Sequence, residues 1–115
     1  MGEYLIRQTV QRKSFEFALS VIRLYKKLQA RQEFILSPQL LKSGTGIGVS
    51  VEEAIAEPNR DIFVDRVMLA SRSARETRYW LKLLQESKLV DVDVSGELVQ
   101  IDDLLNLLSH LTPDS

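Results

Sequence analysis

The side chains able to do chemistry in this chain are few and poorly placed for catalysis. His110 is the only histidine, and there is no cysteine among 115 residues. A thiol nucleophile is therefore absent, and a zinc site would have to draw its other ligands from carboxylates. Di-iron sites in helical bundles need two inward-facing Glu-x-x-His pairs, yet the residue three before His110 is Leu107. A serine nucleophile needs a base beside it, and the lone histidine sits in the least distinctive segment. His110 is expected on the solvent side of a helix. Glu52 and Glu53 are neighbours in sequence, so on a helix they point about 100° apart and cannot serve one substrate as acid and base. Glu52 falls near an inner surface and is expected to be partly buried, in a structural ion pair with an arginine of the third helix. The residues imply no cofactor and no metal, and the chain reads as non-enzymatic.

Two further constellations call for a reading. Gly44, Gly46 and Gly48 lie in the run Ser43-Gly44-Thr45-Gly46-Ile47-Gly48. A dinucleotide-binding loop would need a further glycine where Val49 stands, and a strand before it. A phosphate loop of the Walker type would end in Gly-Lys-Ser or Gly-Lys-Thr, which is missing. The glycines are instead expected to let helix backbones approach closely, since each costs about 1 kcal/mol of helix propensity and needs compensation. Arg72, Arg75, Arg78 and Lys82 fall within about 120° of one another on the third helix, opposite its apolar stripe. With Tyr79 among them they form a candidate contact surface for RNA or DNA, tracking phosphates and offering a ring for stacking. A solvated face, or an ion-pair surface between subunits, is the alternative.

The elements that hold these residues are helical. Residues 1–13 read as a polar N-terminal extension, with Ser14 capping a first helix over 14–31. Phe15, Leu19, Ile22 and Tyr25 form one apolar stripe on that helix, and Phe17, Val21, Leu24 and Leu28 form a second. Together they span about 220°, where packing on one core needs little more than 100°. One stripe serves the bundle, and Phe17, Val21, Leu24 and Leu28 are assigned to an interface with sister chains. Ser37, followed by Pro38, predicts the start of a helix over 37–57, with Leu40, Gly44, Ile47, Val51 and Ala54 along its packing face. Asn59 or Asp61 caps a third helix over 61–87, whose core stripe is Phe63, Val67, Ala70, Ala74, Thr77, Leu81 and Leu84. Residues 88–95 alternate like a strand but have nothing to pair with, so they read as a loop with Ser95 capping a fourth helix over 95–111. There Leu98, Ile101, Leu105 and Leu108, widened by Leu104, Leu107 and Leu111, cover about half the circumference. Residues 112–115 form a tail. The fold class is all-α, an up-and-down antiparallel four-helix bundle.

Composition bounds the rest. Hydrophobic residues make up 44% and charged residues 27% of the chain, which suits one globular domain. Net charge is −1, which gives no global case for nucleic acid, although residues 1–50 carry +5 and the remainder −6. No apolar run is long enough to cross a bilayer, the start lacks the features of a secretion signal, and Ile6 stands where myristoylation expects Ser or Thr. A cytoplasmic location, with no membrane partner, is expected.

The phrases SFEFALSVIRLYKKL (14–28), EFILSPQLLKSGTGIGVSVEEA (33–54) and ARETRYWLKLLQES (74–87) resemble the bacterial four-helix bundle proteins encoded in intervening sequences of 23S ribosomal RNA genes. Similar chains include the accessory variability protein of diversity-generating retroelements. The resemblance implies a bundle assembled into a homopentameric ring, a biochemical role unknown for most members, and no catalytic residues. Its retroelement relatives are basic and associate with nucleic acid. Where the family typically reads Gly-Ala-Asn-Val-Glu-Glu, this chain has Gly48-Val49-Ser50-Val51-Glu52-Glu53, and residues 91–115 hold six acids and no Lys or Arg. Expected partners are other copies of the chain, RNA or DNA, or, on the alternative reading of a scaffold, another protein docked on the surplus apolar face of the first helix or on the acidic fourth.

Overall fold

The apolar stripes fold as four helices: α1 (Glu3–Ala30), α2 (Ser37–Ile55), α3 (Arg60–Ser87) and α4 (Ser95–Ser109). A computed structural model describes residues 2–113, and among these there is no strand. Asp114 and Ser115 of the expected tail lie outside the described residues, as does Met1. Side-chain pairs fix the direction of every neighbour. A Cβ on Gly44 would meet Val21, and one on Gly48 would meet Ser14, so α1 and α2 run antiparallel. Thr77 donates to Ser43, and Gly46 faces Ser73, which sets α3 against α2. Val94 N–H reaches Gln85, and Arg78 reaches Asp102, setting α4 against α3. Lys13 pairs with Asp103, and Gln100 donates to Ser20, closing the ring of helices between α4 and α1. The bundle measures 44 × 20 × 19 Å.

Residues 3–13 of the expected extension are the first turns of α1. Neither glycine nor proline interrupts 3–30, and Ile6 and Val10 carry the buried stripe down to Ser14, Phe17, Val21, Leu24 and Leu28. Ser14 caps nothing. It is a buried small residue inside the helix, its hydroxyl donating to the Gln11 carbonyl. At the start of α1 the Glu3 carboxylate accepts from Arg7 at 3.0 Å and from Arg60 at 3.0 Å, and both guanidiniums lie over the buried Phe63 ring.

Phe17, Val21, Leu24 and Leu28 are 0–3% exposed and lie in the core, so they are not an oligomer interface. The other stripe is the surplus one, with Phe15, Leu19 and Ile22 exposed by 66%, 40% and 42%. Helix α4 differs too. Ile101, Leu104, Leu108 and Leu111 are buried, while Leu98, Leu105 and Leu107 are half-buried against the core. Its wide apolar arc is absorbed within the subunit because α4 sits between α1 and α3 and feeds leucines to both.

The α1–α2 corner is built by a residue the pattern does not reveal. Gln32, in a left-handed conformation (φ 64°), ends α1, with Gln32 N–H donating to the Gln29 carbonyl and Glu33 N–H to that of Leu28. The Glu33 carboxylate then turns onto the start of α2 and accepts from the N–H groups of Ile35, Leu36 and Ser37 at 2.7–3.2 Å. Burial opposes ionisation of Glu33, but the N–H groups of Leu36, Ile35 and Ser37 together outweigh it and hold its carboxyl below the usual range. Ser37 is therefore not the N-cap. Its backbone is already helical, and its hydroxyl donates to the Glu33 carbonyl while accepting from Gln29.

The remaining boundaries lie within two residues of expectation. Asn59 caps α3 by accepting from Ile62 N–H, and all seven residues expected along its core stripe are the buried ones. At the start of α4 the N–H of Ser95 is satisfied by Asp93, so Ser95 is not the cap. The alternation of 88–95 serves the connection itself, with Val94 fully buried, Val90 and Val92 half-buried, and the aspartates outside.

Candidate functional site

Opposite the core stripe of α3 lie Arg72, Arg75, Tyr79 and Lys82, all exposed, with Arg78 turned toward α4. The four basic residues are not equivalent. Arg78 Nε donates to Asp102 at 2.7 Å, which ties it to α4. Arg72 stands 3.9 Å from Glu76, one turn further on. Arg75 and Lys82 have no ion pair among the described residues. The neighbouring acids of α4 are spent on structure in the same way. Adjacent positions on a helix diverge by about 100°, so Asp102 clips α4 to α3 through Arg78, and Asp103 clips it to α1 through Lys13. Tyr79 is 59% exposed, and its ring meets that of Trp80 edge to face at 5.4 Å. Trp80 is half-buried against the core and anchors the pair.

The glycines separate into two kinds. A Cβ on Gly44 would lie 2.8 Å from a methyl of Val21, so the close approach of α1 and α2 requires glycine there. Gly46 and Gly48 do not meet that description. A Cβ at either would rest at 3.8 Å from Ser73 or Ser14, ordinary contact distance. They instead floor two grooves on either side of Val49, which is 60% exposed on the outer face of α2. The groove toward α1, about 320 Å³, is lined by Phe15, Ala18, Ser14, Thr45, Gly48 and Val49 among others, so it continues the exposed stripe of α1. The groove toward α3, about 540 Å³, is lined by Lys42, Ser50, Ser73 and Glu76 with Gly46. Val49 does not stand out in the sequence, because the three glycines before it read as one packing motif over 43–48. The signal was available, since Val49 lies about 180° from the centre of its own helix's apolar face.

The candidates for catalysis are scattered. Glu52 is exposed and accepts from Gln11 of α1 at 2.7 Å, so it is neither buried nor paired with an arginine of α3. Glu53 is exposed and directed elsewhere. His110 is exposed, with Nδ1 2.8 Å from the Asn106 carbonyl and 3.5 Å from the Ser109 hydroxyl. That hydroxyl donates to the same Asn106 carbonyl at 2.6 Å. Among the described residues no group of three or more His, Cys, Asp or Glu side chains is placed to hold a metal ion, and no helix is long and apolar enough to cross a membrane. No buried side-chain nitrogen or oxygen among them lacks a hydrogen-bond partner.

Residues 7–110 match the family described as 23S rRNA-intervening sequence protein. A solved structure of a protein of unknown function from the S23 ribosomal protein family of Bacteroides thetaiotaomicron is 32% identical. It superposes with a TM-score of 0.87, over 92% of this chain and 96% of that one. No curated protein matches. Over nearly its whole helical length, then, in fold as in sequence, the chain belongs to the family of 23S rRNA-intervening sequence proteins.

Proposed function

We propose that this protein is a non-catalytic, self-associating bundle of the cytoplasm that offers the α3 face to the phosphate backbone of nucleic acid. The observation that carries the reading is the inequality among its cations. Arg75 and Lys82 stand exposed without an ion pair among the described residues, whereas Arg78 is bound to Asp102. A basic side chain left unpaired on a rigid helix is available to a phosphate, and binding of that kind weakens steeply with salt. Two of the acids that argue against nucleic acid in the sequence, Asp103 and Asp102 of α4, are already engaged by Lys13 and Arg78. Replacing Arg72 and Arg75 by Glu should abolish a salt-sensitive gel shift while the helical signal in circular dichroism is retained. Absence of any shift by the parent protein at low salt would end the reading.

Self-association rests on a separate surface. Phe15 lines the α1–α2 groove with Val49, and Leu19 and Ile22 are exposed further along the same stripe of α1; apolar surface gathered on one side in this way is uncommon on a soluble monomer. Sister chains are the proposed cover, in the ring of five that the family resemblance implies. Each copy in a closed ring repeats the α3 face, so the fields of the basic residues add. The second reading, a scaffold for another protein, is favoured by the same patch, and retention of a protein but no nucleic acid in a pull-down supports it.

A further inference from the structure

We infer that the α3 face takes a single, unpaired strand, with one base stacked on the ring of Tyr79 and the flanking phosphates on Arg75 and Lys82. The inference rests on the reading of this face as a nucleic-acid surface and names the form of nucleic acid that fits it. Three features carry it. Tyr79 is 59% exposed, and its ring rests edge to face at 5.4 Å against that of Trp80, which packs against the core. A ring held ready in this way loses little freedom when a base settles on it. Arg75 and Lys82 lie four residues before and three after Tyr79, two turns apart or about 10 Å along the axis. They therefore bracket the ring on one face, where a strand passing over Tyr79 meets a cation on each side.

The shape of the bundle argues against a duplex. Helix α3 does not protrude, since α2 and α4 pack on either side of it in a body 20 × 19 Å across. The major groove of B-form DNA is about 12 Å wide, and that of an RNA duplex is narrower still. The face would touch only the backbone of a duplex, and Tyr79 would have no base to meet. Unpaired bases expose their π faces, and stacking on an aromatic ring tolerates any of them.

The test is fluorescence anisotropy at low salt with labelled 12-nucleotide oligouridylate and oligothymidylate, an abasic strand of the same length, and a hairpin duplex. The parent protein should bind both base-bearing strands more tightly than the abasic strand or the hairpin. Tyr79→Ala should weaken the base-bearing strands by about 5- to 100-fold and leave the abasic strand unchanged, while Tyr79→Phe retains parental binding. Trp80 is the only tryptophan, so its emission should change with the base-bearing strands and not with the abasic one. Equal affinity for abasic and base-bearing strands, or no loss in Tyr79→Ala, overturns the stacking and leaves the backbone reading intact. Tighter binding of the hairpin overturns the single-strand assignment. Failure of every strand to bind overturns the nucleic-acid reading itself.

Discussion

The inward and outward stripes of α1 are alike in composition and spacing, yet their fates differ. Phe17, Val21, Leu24 and Leu28 are sealed in the core, whereas Phe15, Leu19 and Ile22 keep 40% or more of their surface. What separates them is length. The inward stripe continues through Ser14, Val10 and Ile6 and meets a partner at every level, from Phe63 near one end to Gly44 against Val21 further up. The outward stripe runs only from Phe15 to the half-buried Tyr25, and among the described residues Phe15 meets nothing beyond the open groove toward α2. Two apolar arcs on one helix thus carry different meanings: the longer one marks the core, and the shorter one marks a surface still to be covered.

The largest test of this contrast is a pair of truncations at equivalent chemistry. Phe17→Ala should destabilise the fold by about 3–5 kcal/mol through lost burial and the cavity left behind. Phe15→Ala should change the stability of the isolated subunit by less than about 0.5 kcal/mol. Urea denaturation at low protein concentration reads both, and similar losses from the two would erase the distinction.

The next effect concerns the corner that sets the rotation of α1 against α2. Glu33→Ala strips the start of α2 of its acceptor and should cost about 2 kcal/mol. The Glu33 carboxyl in the fold titrates below its ordinary value of 4.5. Its stabilisation is therefore complete above that ordinary value and is lost as pH falls through the lower folded one. Stability measured from pH 6 downward should fall less steeply in Glu33→Ala than in the parent, and parallel profiles would show that the carboxylate contributes nothing.

A smaller pair sharpens the comparison on the facing helix. Gly44→Ala drives a methyl into Val21 and should destabilise by about 1–2 kcal/mol, with Val21→Ala in the same chain relieving the clash. Gly48→Ala has room for its Cβ and should stabilise the isolated subunit by up to about 1 kcal/mol through helix propensity. Thermal melts of the three variants distinguish a tight inner face from a spacious outer one.

These contrasts also show what the sequence conveys. The core stripe of α3 is legible residue by residue because its spacing is regular across all seven of its positions. The choice between Asn59 and Asp61 as cap, and the turning of Arg78 out of the basic face toward α4, depend on contacts that the pattern does not carry. Helix α1 was misjudged because starting it at Ser14 discarded Ile6 and Val10, the residues that make its two stripes unequal. The caps of α2 and α4 escaped notice since Glu33 and Asp93 act from preceding connections. That Asp102 engages Arg78 while Arg75 stays unpaired depends on the register of α4 against α3, and no one-dimensional pattern carries that register.

The most direct test is the mass of the protein in solution, measured by light scattering across a range of concentrations, for the parent and for Phe15→Asp combined with Ile22→Asp. The account predicts a parent species several times the 13.1 kDa subunit, and a variant that runs at the subunit mass with its helices intact. A parent that stays monodisperse at 13.1 kDa at every concentration would contradict it.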